Sequence, residues 1–161
     1  MKTVVGIDPG IGGAVAVLEG NDLTIWDLKP FYSDAPGFNC LDASEFAHFV
    51  DTEIDQFDDL IVVCEMPQLR RTDGIKTSRS VYRSDGVLSA TFNFYGIDFV
   101  CVTARAWKKY FGLSQDKKQS VAKACKTFPT YTDFFTGPRG GQKDGRAEAA
   151  LIALYASKTM K

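Results

Sequence analysis

Six consecutive residues, Leu60 to Glu65 (LIVVCE), constrain this chain more than any other segment. The run is apolar without alternation, is bounded by Asp58-Asp59 and Pro67, and is too short for a core helix. It therefore reads as a strand covered on both faces. Such a strand belongs to a sheet held between two layers of helix, and the rest of the chain must supply those layers. Upstream, Thr3 to Asp8 (TVVGID), Gly13 to Leu18 (GAVAVL) and Leu23 to Leu28 (LTIWDL) follow in close succession, with Gly20-Asn21-Asp22 at a turn. Three strands so spaced make an antiparallel meander, and Asp98 to Val102 (DFVCV) adds a fifth strand.

Helical spacing appears between and after these strands. From Asp42 to Phe57 the apolar positions Ala43, Phe46, Ala47, Val50, Ile54 and Phe57 share a face, with Asp42 placed to cap. His48 falls on the opposite face and is expected to be exposed and without a role. A helix over Arg79 to Tyr95 carries two apolar stripes, Val81, Leu88, Phe92 and Tyr95 on one and Val87, Ala90 and Phe94 on the other. One stripe suits the sheet; the other suits a second subunit or an ordinary core contact. Further helices are expected from Ala104 to Phe111, from Asp116 to Phe128, and from Asp144 or Gly145 to about Lys158. Residues 129–143 read as turn-rich and mobile. The expected architecture is α/β: a mixed five-stranded sheet, three antiparallel strands and then parallel ones, with helices on both faces. A chain of 161 residues fits one domain over 1–161.

Composition, at 45% apolar and 24% charged, excludes disorder. No apolar run approaches the roughly 20 residues of a membrane span, and Asp8 interrupts the opening segment, so a cytoplasmic location without membrane contact is expected. Cys40, Cys64, Cys101 and Cys125 lack zinc-ligand spacing and have only His48 to join them, so they read as reduced, buried thiols. The net charge of −1 conceals an uneven distribution. Residues 1–65 hold two lysines against thirteen acids, a balance of −11, whereas residues 66–161 hold seventeen lysines and arginines against seven acids, +10. The basic half points to nucleic-acid contact.

Four acids carry the chemistry. Asp8 and Glu65 each end a predicted central strand, where ligands of open α/β sheets gather. Gly10, Gly12 and Gly13 follow Asp8 and suit either a tight turn or close approach by a ligand. Asp144 and Glu148 are one turn apart and extend the stripe through Leu151 and Tyr155 that should pack on the sheet. Taken singly, each acid has an ordinary structural use as a cap or ion-pair partner. Taken together, converging carboxylates repel unless divalent cations join them, and oxygen-only ligation selects Mg²⁺ or Mn²⁺. Two such ions support phosphodiester hydrolysis.

Gly6-Ile7-Asp8-Pro9-Gly10, Cys64-Glu65-Met66-Pro67, Ala104-Arg105-Ala106-Trp107-Lys108-Lys109, Asp116-Lys117-Lys118 and Lys143-Asp144-Gly145-Arg146-Ala147-Glu148-Ala149 together resemble the RuvC family. These are Holliday junction resolvases of the RNase H-like superfamily, and the compact chain looks like the bacteriophage members. The resemblance implies an RNase H-like fold and a homodimer that nicks four-way or branched DNA, with two Mg²⁺ or Mn²⁺ per subunit. It also implies Asp8, Glu65, Asp144 and Glu148 as catalytic metal ligands. DNA contacts are expected from Arg70, Arg71, Lys76, Arg79, Lys108, Lys109, Lys117 and Lys118. An aromatic wedge common to the family's loop after the second acid has no counterpart between Met66 and Arg79. Two other classes compete: a non-catalytic module for branched DNA, and an actin-like ATPase suggested by the glycine-rich opening.

Overall fold

The computed structural model describes residues 2–10, 12–32, 34, 39–69, 71–137 and 140–160. Its centre is a five-stranded sheet of β1 (Thr3–Asp8), β2 (Ala14–Glu19), β3 (Asp22–Asp27), β6 (Leu60–Glu65) and β7 (Phe99–Val102), in the order β3-β2-β1-β6-β7. β1, β2 and β3 pair antiparallel, whereas β6 runs parallel to β1 and β7 parallel to β6. This is the expected mixed sheet. The structure adds a two-residue pairing of β4 (Pro30–Phe31) with β5 (Cys40–Leu41), too short to show a period in the sequence.

The two faces of the sheet carry separate cores. On one side α1 (Ala43–Phe49) and α2 (Ile75–Phe94) bury Phe46, Leu88 and Phe92 against Val5, Ile7, Val62 and Cys64. Asp42 caps α1 by accepting from the backbone N–H of Ser44 and Glu45 at 3.0 and 3.1 Å. The helix continues as a π-helical stretch, Val50–Ile54. On the other side α3 (Ala104–Tyr110), α4 (Lys117–Thr127) and α6 (Asp144–Thr159) bury Trp107, Val121, Ala124, Leu151 and Ile152 against Val4, Ala16 and Val63.

Three expectations need correction. α2 begins at Ile75, so Lys76 and Arg79 lie in its first turns and the loop after Glu65 is shorter than the glycine and polar residues suggest. Residues 129–143 are not all irregular: a 3₁₀ turn, Pro129–Tyr131, leads into α5 (Thr132–Phe135), and Phe135 is fully buried. Cys101 is exposed, because β7 is the edge strand of the sheet. Among the described residues no helix is long and apolar enough to cross a membrane.

α6 lies closer to β1 than ordinary side chains permit. A Cβ placed on Gly6 would sit 2.3 Å from the Ala153 nitrogen and 2.4 Å from the Ala149 oxygen, both backbone atoms of α6. Neither can swing aside. Alanine at Gly6 would push the helix off the sheet, whereas a Cβ on Gly12 meets nothing within 4 Å. We predict that Gly6→Ala costs about 3 kcal/mol or more and lowers the melting temperature by roughly 10 °C, with Gly12→Ala near neutral. Thermal unfolding followed by circular dichroism checks this; equal melting points would contradict the close packing.

Candidate active site

Strand register brings the first two acids together. Ile7 pairs with Cys64, so the next residues, Asp8 and Glu65, stand side by side at the carboxyl ends of parallel strands. Side chains alternate along a strand, and Gly6 and Val63 face α6; two residues on, Asp8 and Glu65 point to that same face. α6 opens at Asp144, and Glu148 follows one turn later, only 5% exposed and hence directed inward. A Cβ on Gly145 would meet the Gly12 oxygen at 2.3 Å, so the start of α6 rests on the backbone that follows Asp8.

Each acid has a partner. The Gly10 N–H donates to Asp8 Oδ1 at 3.3 Å, and the Trp107 Nε1–H donates to Glu65 Oε2 at 2.7 Å. Glu148 Oε1 accepts from Ser120 Oγ at 3.1 Å and pairs with Lys108 Nζ at 2.9 Å. Lys117 pairs with Asp144 Oδ2. The Lys108 and Glu148 side chains are both 7% exposed, so this pair is enclosed, whereas Lys117 is 64% exposed and tethered only at its tip. Among the described residues no three His, Cys, Asp or Glu side chains are grouped closely enough to hold one metal ion, and ammonium groups pair with Asp144 and Glu148.

Electrostatics couple Asp8, Glu65 and Glu148 directly, and Asp144 joins them through Lys117. Burial, then the charges of Glu148 and Glu65, push Asp8 up to about 7, against the opposing Gly10 N–H and Lys117. Burial also raises Glu65; the Trp107 hydrogen bond opposes it and the Glu148 charge adds to it. The hydrogen bond to Asp144 raises Lys117.

The expected DNA-contact residues divide. Lys108 turns inward to Glu148 instead of outward, since its enclosed ammonium needs a counter-charge. Lys117 reaches back to Asp144. Arg71, Lys76, Arg79, Lys109 and Lys118 are exposed. Arg70 lies outside the described residues. Lys76 lines a cleft of about 540 Å³ that runs from Asp8 and Glu65 past Pro67 and Gln68 to Thr77 and Ser80 at the start of α2.

Sequence reasoning missed Trp107 and Ser120 as partners of the acids. Trp107 fits its expected place in the core, fully buried, but its indole N–H adds a polar contact that spacing does not reveal. A readable signal did exist for Ser120: it sits beside Val121 and one turn before Ala124, a hydroxyl inside an apolar stripe.

The shift of Asp8 fixes the sign of a pH effect. Its folded value of about 7 lies above the ordinary 3.8, so the ionised form disfavours the fold; the penalty is absent below about pH 4 and complete above about pH 7. Asp8→Asn removes it. In EDTA the variant should melt above the wild type, with a gain that grows from pH 5 to pH 8. A gain that is flat or shrinks over that range would contradict a buried, like-charged Asp8.

No protein-family model matches this chain, and no curated protein sequence is similar to it. Solved structures are. A Thermus thermophilus RuvC in complex with a Holliday junction substrate superposes with a TM-score of 0.61 at 14% identity, covering 99% of this chain and 97% of that one. A second Thermus thermophilus RuvC structure superposes at 0.56 with 17% identity, over 97% and 95% of the two chains. Over practically its whole length, this chain has the RNase H-like fold of RuvC.

Proposed function

We propose that this protein is a structure-selective endodeoxyribonuclease that resolves four-way and branched DNA by metal-dependent phosphodiester hydrolysis. The observation that carries the reading is Asp8: a carboxyl raised to about 7 by burial and by two neighbouring carboxylates is a site short of positive charge. Support also comes from the fold, since a RuvC of the same architecture is solved with a Holliday junction substrate.

The donor set fits Mg²⁺ or Mn²⁺, being all carboxylate with no His or Cys. Asp8, Glu65 and Asp144 would hold the ions, with Glu148 as the fourth acid. When bound, such cations supply Lewis-acid activation of water and stabilise the leaving oxygen. This chain's own groups do the rest. Trp107 fixes the aim of Glu65, and Ser120 with Lys108 fixes Glu148. Lys117, held only at its tip, releases Asp144 and swings to a phosphate oxygen. The 540 Å³ cleft admits the scissile strand, with Lys76 on its wall and Arg71, Arg79, Lys109 and Lys118 as the outer phosphate contacts.

Two strands are cut when the enzyme is a homodimer with one site per subunit. Exposed apolar side chains favour this assembly: Phe94, from the second stripe of α2, is 82% exposed, Tyr82 on the same helix 64%, and Val100 on the edge strand β7 50%. One observation favours a second reading, a non-catalytic module for branched DNA: Lys108 and Lys117 already neutralise two of the four acids.

A labelled four-way junction and a linear duplex of the same sequence separate these readings. With Mg²⁺ or Mn²⁺ the protein should place paired, symmetric nicks in the junction and leave the duplex intact. Asp8→Asn should abolish nicking and keep junction affinity within about threefold of wild type. Binding without product under any divalent cation would establish the non-catalytic module instead.

A further inference from the structure

A second cavity, separate from the cleft, shares the Asp144 wall of the acid cluster. It measures about 400 Å³, and much of its lining is bare backbone from Gly12, Gly13 and Gly145. Tyr32, 70% exposed, forms another part of the wall. Arg146 also lines it but is committed to Asp27 by two bonds of 2.6 Å, so the exposed Lys143 is the cation available there.

These features suit one chemistry. A planar base stacks on an exposed aromatic ring, its phosphate seeks a cation, and both need wall surface free of obstructing side chains. A paired base inside a duplex is already covered on both faces, so only an unpaired nucleotide has a face to offer. We propose that this cavity takes one unpaired nucleotide of the branched DNA, adjacent to the scissile phosphate, with its base stacked on Tyr32 and its phosphate beside Lys143. The inference rests on the nuclease reading and adds to it a stacking residue on the β4–β5 segment.

The test uses the full chain and a four-way junction carrying 2-aminopurine at the branch point. Wild type should change the probe's fluorescence on binding. Tyr32→Ala should lose that change and nick the junction roughly tenfold more slowly, the scale expected for one lost stack. Tyr32→Phe should restore both. Because Gly12 lines the cavity and a Cβ placed on it meets nothing within 4 Å, Gly12→Leu should fill the cavity, keep the fold and reproduce the Tyr32→Ala defect. If Tyr32→Ala and Gly12→Leu match wild type in fluorescence and rate while wild type nicks the junction, the cavity is no nucleotide subsite and the nuclease reading stands. If wild type neither binds nor nicks, both readings fall.

Discussion

The contact between β1 and α6 governs the molecule. Gly6 has no side chain, so the α6 backbone at Ala149 and Ala153 lies directly on the strand. α6 itself is built for this approach, with Ala147, Ala149, Ala150, Ala153 and Ala156 all fully buried. The same economy recurs at its first turn, where Gly145 rests on Gly12. A helix held this tightly has no freedom to slide, so Asp144 and Glu148 are fixed over the strand ends that carry Asp8 and Glu65. Packing of small residues thus determines where Glu148 meets Asp8 and Glu65.

That meeting is unfavourable in itself. Buried carboxylates repel one another, and the raised values of Asp8 and Glu65 express the cost. Two kinds of group offset it. Enclosed partners, Trp107, Ser120 and Lys108, hold Glu65 and Glu148 in fixed positions. A solvent-facing partner, Lys117, is tied to Asp144 by its ammonium alone. The asymmetry divides the site into a rigid inner half and an exchangeable outer half. On the proposed function, a cation arriving from solvent would compete with Lys117 and leave the enclosed Lys108–Glu148 pair in place.

Much of this is legible in the sequence. The LIVVCE run and the meander specify a mixed sheet because tight turns join antiparallel neighbours, whereas a strand reached through a helix can lie parallel. Asp8 and Glu65 at strand ends, and Asp144 and Glu148 at helical spacing, follow from the same periods. The inward turn of Lys108 did not: a lysine in a basic segment reads as solvated, and only the three-dimensional position of Glu148 supplies the counter-charge that lets it be buried. Cys101 misled for a related reason, since an apolar strand at a sheet edge carries the same residues as a central one. The β4–β5 pairing, which bears Phe31 next to Tyr32, is two residues long and leaves no period to read.

Titration of Mn²⁺ into the DNA-free protein, followed by the paramagnetic resonance signal of the free ion, tests the account most directly. The acids and their exchangeable lysine predict saturable binding by wild type at pH 7.5, lost in Asp8→Asn and strengthened in Lys117→Met, which removes the competing ammonium. Wild type and Asp8→Asn binding the ion alike, or Lys117→Met binding it no better than wild type, would contradict a cation site assembled by α6 over β1 and β6.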